Sequence, residues 1–330
     1  MSSSKITIKD VAKKAGVSIA TVSRYLNNSS LREENRKRIA KTIKELNYQP
    51  SIYAHCLAGG KLNSFGLIIP GYEGIFYSFY ALETIRELAF SLDKNAIDLH
   101  LHIFWDKDNF RTSLVDGVVM ADIMGNEKQL KRFVAEGIPL VVINRKIDQD
   151  DISFVAVDNF KGGYEATEFL IQHGHKKIAH LAGDLQVQCA QERLDGYKSA
   201  LKKNGIKLRE NLVKLTNFSR KEARMKLEEL FSRKESPSAV FCCSDEVASE
   251  VLNFAEEKRI EVPKGLSIIG FDDNPRCLYG NLMLTTVRQP LAQMAKEAVR
   301  ILKDSLEGIK DTQRVVLDTE IIIRDTVGFV

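Results

Sequence analysis

Apolar positions near the amino end recur at helical spacing in two short bursts. Ile8, Val11 and Ala12 fall at i, i+3 and i+4, which places them on one face of a helix. Thr7 followed by Asp10 has capping-box spacing at its start, and Gly16 sits where a helix must stop and the chain turn. Ser18 can cap a second helix over Ile19–Leu26, with Val22 and Leu26 facing inward. A third helix, Arg32–Leu46, closes a small core with Ile39, Ile43 and Leu46, and Pro50 ends the segment after Tyr48 and Gln49. From Ser64 the period changes. Short β-branched runs (Phe65–Ile69, Leu99–Trp105, Gly117–Met120, Leu140–Ile143, Phe154–Val157, Ile178–Ala182, Ala239–Cys242, Ser267–Gly270) alternate with helical patterns. The helices expected are Tyr80–Asp93, Glu127–Glu136, Gly162–His173, Ala190–Asn204, Arg220–Phe231, Glu246–Lys258 and Leu291–Leu306. Alternating strand and helix implies parallel sheets with helices on both faces.

The first two helices have the pattern of a helix-turn-helix, whose second helix enters the DNA major groove. Ser18, Thr21 and Ser23 carry short hydroxyls suited to phosphates or base edges, and Ile19 and Ala20 suit thymine methyls. The fork of Arg24 matches the O6/N7 edge of guanine. Charge strengthens this reading. Residues 1–61 hold twelve Lys/Arg against four Asp/Glu, so the overall +4 divides into +8 here and −4 in the remainder. A compact basic head on an acidic body is the electrostatic footprint of a nucleic-acid module joined to a domain that does not bind nucleic acid.

At 330 residues with 44% hydrophobic and 28% charged content, the chain can bury a sizeable core in two or three domains. No apolar run reaches the ~18 residues of a membrane span, and no secretory h-region precedes the first helix. Five cysteines without CxxC spacing are expected to be reduced and mostly buried in a cytoplasm.

The sequence resembles the LacI/GalR (lactose-repressor) family of bacterial transcription regulators. The resemblance rests on Thr7-Ile8-Lys9-Asp10-Val11-Ala12, Ala15-Gly16-Val17-Ser18, Ala20-Thr21-Val22-Ser23-Arg24, Leu26-Asn27, Arg36-Lys37-Arg38-Ile39, Leu46-Asn47-Tyr48-Gln49-Pro50 and Gly66-Leu67-Ile68-Ile69-Pro70. It continues in patches to about residue 325. The resemblance implies an all-α helix-turn-helix head (1–50), a hinge (51–61) and an α/β body (62–330) of two parallel-sheet lobes, similar to periplasmic sugar-binding proteins. The expected lobes are 62–158 plus 288–320, and 159–287 plus 321–330. DNA contacts are expected from Thr7, Ser18, Ile19, Ala20, Thr21, Ser23, Arg24, Asn27 and Tyr48, and from Ala54, His55 and Leu57 of the hinge. Leu57 matches the family's minor-groove wedge, which kinks DNA on insertion. His55 stands where the family usually has Arg, which weakens that anchor.

Effector candidates follow from the same resemblance. Arg145 and Asp272 match a gripping arginine and a carboxylate at strand ends, and bidentate donors and carboxylates suit vicinal hydroxyls. Ser244 replaces the usual Asn before Asp245, Gln289 lies in a crossover, and near the first strand Tyr72, Phe76 and Tyr77 are candidates to stack on a sugar ring. Gly71 replaces the acidic residue common after Pro70. Only Asp106–Leu114 separates two strands where the family fits a full helix, so this lobe is abbreviated; a parallel crossover normally needs a dozen or more residues.

His173, His175 and His180 fit no standard metal spacing, and Lys161-Gly162-Gly163 lacks the P-loop spacing, so neither a metal nor a cofactor is expected. The expectation is a cytoplasmic repressor, not an enzyme, working as a homodimer on pseudo-palindromic double-stranded operator DNA. A small effector, a sugar or sugar derivative, would bind between the lobes. One alternative is control by a protein such as a phosphocarrier, as in some family members. A more remote one is a sugar-handling enzyme fused to a DNA anchor.

Overall fold

The computed structural model describes residues 6–26, 30–48, 61–72, 75–105, 109–121, 127–232, 236–309 and 311–330. They divide into an amino-terminal unit, Met1–Ser64 with Ser113–Asp116, and a body over the remaining residues from Phe65.

The head holds α1 (Ile8–Ala15), α2 (Ile19–Leu26) and α3 (Glu33–Leu46). The Asp10 carboxylate accepts the Thr7 N–H at 2.8 Å and the Thr7 hydroxyl at 2.7 Å, which fixes the entry to α1. Gly16 ends the helix with φ +64°, a conformation that an L side chain disfavours. Arg38 of α3 reaches into this turn, its Nη2 donating to the Ala15 carbonyl at 2.7 Å, so a side chain at Gly16 would displace the guanidinium as well. Val11, Val22 and Ile39 are fully buried between the three helices, with Ala12, Ala15 and Tyr48 beside them.

The body contains two six-stranded sheets. The first has the order β11–β5–β4–β3–β1–β2, built from β1 (Ser64–Pro70), β2 (Asp98–Phe104), β3 (Gly117–Ala121), β4 (Leu140–Ile143), β5 (Ser153–Val157) and β11 (Arg314–Leu317). The second has the order β12–β10–β9–β8–β6–β7, from β6 (Ile178–Ala182), β7 (Val213–Leu215), β8 (Ala239–Cys242), β9 (Ser267–Asp272), β10 (Thr285–Arg288) and β12 (Glu320–Ile322). Most neighbours run parallel, but β12 runs antiparallel to β10. Burial matches this layering: β3, β6, β8 and β9 are buried at every position.

The first lobe packs α4 (Phe79–Asp93), α5 (Glu127–Glu136) and α10 (Leu291–Leu306) on its sheet. The second carries α6 (Asn159–Gln172), α7 (Gln188–Lys203), α8 (Arg220–Phe231) and α9 (Asp245–Glu257). The chain passes between the lobes three times, at Asp158, at Gln289-Pro290 and at Asp318-Thr319. Arg288 ends β10 and Glu320 opens β12, so both belong to the second lobe and the segment returning to the first lobe is 289–319.

Four short strands, β7, β10, β11 and β12, were not expected from the periodicity. α6 and α7 also begin earlier than expected, because the Asp158 carboxylate caps α6 by accepting the Lys161 N–H at 3.0 Å and α7 starts directly after Val187. The abbreviated crossover is real: between β2 and β3 the described residues hold only a 3-10 turn, Thr112–Leu114. Phe110 covers the sheet where a helix would lie. Its ring packs over Gly66, where a Cβ would come within 2.5 Å, and meets Phe133 edge-on at 5.8 Å. Arg132 Nη2 donates to the Phe110 carbonyl at 3.1 Å and pins the segment.

Candidate nucleic-acid interface and ligand cleft

On α2, Val22 is buried, while Ile19, Ala20 and Arg24 are exposed and Thr21 and Ser23 are half-buried. The Ser18 hydroxyl accepts the Thr21 N–H at 3.1 Å and bonds the Thr21 hydroxyl at 2.8 Å, so it caps the helix and orients Thr21. The helix therefore presents an apolar tip, short hydroxyls and one guanidinium along one side. Thr7 is exposed with its hydroxyl on Asp10. Tyr48, expected at the DNA, is 7% exposed and its ring belongs to the head's core. Asn27, Ala54, His55 and Leu57 lie outside the described residues.

In the body, parallel strands end toward the crossovers, and β9 closes there on Asp272, with Asp273 after it. The Asp272 carboxylate is buried at the end of β9, on a residue with φ +134°, and its Oδ1 accepts the Gln289 Nε2–H at 2.6 Å. The Gln289 carbonyl oxygen is buried without a hydrogen-bond partner among the described residues. Burial, and then the Asp245 carboxylate nearby, push Asp272 well above the usual carboxylate range, while Arg193 pulls the other way.

Arg193 of α7 is only 2% exposed. Its Nε–H donates to Asn159 Oδ1 at 2.9 Å, its Nη1–H to the Cys243 carbonyl at 2.5 Å, and the guanidinium lies 3.6 Å from the Phe271 ring centroid. Those bonds occupy two of the five N–H groups of a guanidinium, and the planar fork is held ready for a further acceptor. Arg193 and Asn159 were not among the residues expected. A signal was present: on α7 the apolar stripe runs Ala190, Leu194, Tyr197, Leu201, and Arg193 interrupts it as a charge on the inward face.

Asp245 is a structural hub behind this site. It accepts the Thr286 hydroxyl at 2.6 Å, the Asn274 N–H at 2.7 Å and the Cys277 thiol at 3.0 Å. Burial raises its pKa despite those bonds. Asp273 next door is held below the usual range, because ion pairs to Arg324 and Arg288 outweigh its burial.

The other expected residues divide. Ser244 is buried, but its hydroxyl accepts the Val247 N–H at 3.3 Å as the cap of α9. Arg145 is half-buried just after β4, on the other lobe from Asp272. Tyr72, Phe76 and Tyr77 are 45%, 58% and 81% exposed. The indole of Trp105 lies against Gly71, where a Cβ would come 2.5 Å from the ring, so an acidic side chain has no room there.

His175 and His180 serve packing. His175 bonds Ser238 Oγ at 2.9 Å and the Gly328 carbonyl at 3.1 Å, and His180 stacks between Tyr197 and Phe241. Lys161-Gly162-Gly163 opens α6, and Gly163 allows that helix to lie against the Arg193 backbone. Among the described residues no helix is long and apolar enough to cross a membrane.

Residues 7–51 match the model for bacterial regulatory proteins of the lacI family, and residues 167–327 match the periplasmic binding protein-like domain. The regulator DegA of Bacillus subtilis is 31% identical over 312 residues, covering 90% of each chain. Catabolite control protein A of Priestia megaterium is 31% identical over 307 residues, covering 90% of this chain and 91% of its own. The chain belongs to the LacI family. It is a DNA-binding transcription regulator. Among solved structures, the regulator CelR in complex with cellobiose superposes with a TM-score of 0.74 at 26% identity, over 97% of this chain and 99% of that one. The lac repressor dimer bound to operator gives a TM-score of 0.87 at 22% identity over 98% and 100%, which establishes the shared fold.

Proposed function

We propose that this regulator is a cytoplasmic, homodimeric repressor whose operator affinity is set by a small polyhydroxylated effector, a sugar or sugar derivative, held between the lobes by Arg193 and Asp272. The observation that carries this reading is a buried guanidinium whose charge acts on a buried carboxyl, with Gln289 donating to that carboxyl while its own carbonyl oxygen lacks a donor among the described residues. A vicinal diol supplies what is missing: hydroxyl hydrogens for Gln289 Oε1 and the free Asp272 oxygen, and hydroxyl oxygens for the Arg193 fork. Arg145 would approach from the first lobe. The body binds its ligand rather than transforming it. CelR's complex with cellobiose supports a sugar as the class.

At the DNA, Ile19, Ala20 and Arg24 would read base edges, with Thr7, Thr21 and Ser23 on the backbone. Two heads on one dimer would engage two half-sites, which supplies the avidity that a single small head lacks.

The test is a thermal-shift screen of sugars and sugar phosphates on the wild-type protein, with Arg193→Ala and Asp272→Ala alongside. A ligand at a hundredfold excess over its Kd stabilises by about 2.7 kcal/mol. The expected result is a hit abolished in both variants. Silence across the panel with operator binding intact would overturn the sugar reading.

A further inference from the structure

Among the described residues, two contacts that join the lobes away from the chain passages share a design. At the carboxyl end of β4 the Lys146 N–H donates to Gln188 Oε1 at 2.7 Å, and Gln188 Nε2–H returns a bond to the Lys146 carbonyl at 3.3 Å. The Lys146 ammonium then pairs with Glu192 at 3.1 Å, one turn along α7. Beyond β1, two strands away in the same sheet, the Phe79 N–H at the start of α4 donates to Glu246 Oε1 at 2.9 Å, in the first turn of α9. In both places a side chain at the start of a second-lobe helix captures a backbone N–H of the first lobe. Gln188 reads Lys146 almost as a neighbouring strand would, through one donor and one acceptor.

The first of these contacts stands on the helix that carries Arg193. Gln188, Glu192 and Arg193 occupy the first two turns of α7, with Arg193 next to Glu192. Any movement of α7 that follows an occupant of the Arg193 fork must also move Gln188 and Glu192 relative to Lys146. We infer that Gln188, Glu192 and Lys146 form a clasp that sets the angle between the lobes, with the Glu246–Phe79 bond as its companion. The inference deepens the reading of Arg193 as an effector contact and rests on it for the link to ligand, but the clasp itself is defined without one. Gln188, Glu192 and Lys146 are positioning residues: they hold α7, and with it Arg193, against the first lobe.

A clasp of this kind fixes the balance between closed and open bodies before any effector arrives. A ligand that binds the closed form is weakened by the fraction of molecules that are open. Loosening the clasp therefore lowers effector affinity, and it moves ligand-free operator affinity in the direction opposite to that in which the effector moves it.

The experiment uses the ligand-free full chain, wild type and Gln188→Ala combined with Lys146→Met, with Gln188→Glu and Lys146→Arg as variants that keep the acceptor and the charge. Amide exchange is followed at Lys146 and at Phe79, small-angle scattering reports the size of the molecule, and binding is measured to a duplex selected by the wild-type protein from a random pool. The double variant is expected to exchange about tenfold faster at both amides, the range set by losing one or two half-buried hydrogen bonds. It should also scatter as a larger particle and shift duplex affinity at least threefold or so, while the conservative variants stay near wild type. Phe79 is the discriminating site, because a purely local role for Gln188 would leave that amide unmoved. An unchanged Phe79 amide with unchanged scattering would overturn the clasp. Arg193→Ala separates the two readings: a sugar screen unaffected by it would end the effector assignment and leave these ligand-free results standing.

Discussion

His180 shows how far a single residue's environment can depart from what its neighbours in sequence suggest. Its ring is fully buried, 4.5 Å from the Phe241 ring and 5.2 Å from that of Tyr197, with Nδ1–H on the Phe241 carbonyl at 3.0 Å and Nε2 without a partner among the described residues. Burial pushes its pKa down to about 3, against the weaker opposing pull of the Phe241 bond. The native state therefore keeps the ring neutral while the unfolded chain takes a proton below about pH 6.5. Stability from this residue is full above that pH and is lost as pH falls toward the native pKa, by up to about 1.4 kcal/mol per unit. Urea unfolding at about pH 7.5 and about pH 5 should show a smaller loss in His180→Phe than in the wild type. Equal losses would remove His180 as the cause. At this scale the sequence was informative where chemistry is local. The cap at Ser18 and the exposed Arg24 could be read directly. Arg193, Asn159 and the hub at Asp245 could not, because their partners lie 29 to 78 positions away in sequence and are set by how the sheets stack.

Elements were legible in proportion to their length. The seven body helices carry enough turns for a 3.6-residue period to show, and each was anticipated within a few residues of its ends. β7, β10, β11 and β12 have three or four residues each, too few for a period, and β11 begins with an exposed arginine as edge strands do. The pairing of α6 with α7 depends on a feature that propensity would misjudge. Gly163 and Gly196 lie mid-helix, where glycine costs roughly 1 kcal/mol relative to alanine. Here the missing Cβ lets the helices meet backbone to backbone: at Gly163 it would strike the Arg193 main chain, and at Gly196 the Phe160 carbonyl. Gly196→Ala is therefore expected to destabilise the protein by about 1–3 kcal/mol, the reverse of the helix-propensity sign. A chemical-denaturation midpoint equal to or above that of the wild type would show that the helices can part without cost. The same close approach fixes the Arg193 backbone, so the glycine pair also positions the proposed effector contact.

Across the whole molecule, charge separates the roles of head and body. The +8 of residues 1–61 and the −4 of the remainder predict that salt acts on DNA binding far more than on effector binding. Each phosphate contact adds about 0.9 to the slope of log affinity against log salt. Arg24→Ala distinguishes its two possible contacts. As a base reader it should lose about 1–3 kcal/mol of discrimination with the slope nearly unchanged. A slope reduced by about 1 with sequence preference intact would instead make it a phosphate anchor.

The three passages between lobes bear on how the chain is made. The first lobe begins at Ser64, but its core requires Met294, Ala295, Ala298, Val299, Ile301 and Leu302 of α10, and its sheet is completed by Arg314–Leu317. The second lobe draws its sheet from residues 178–322. During synthesis the reader of DNA emerges whole within the first fifty or so residues, as amino-terminal domains generally do, while neither half of the sensor can close until nearly all the rest has followed. A ribosome stalled midway through this message would display a finished reading head on an unfinished body. The nascent chain could meet DNA before it could respond to anything.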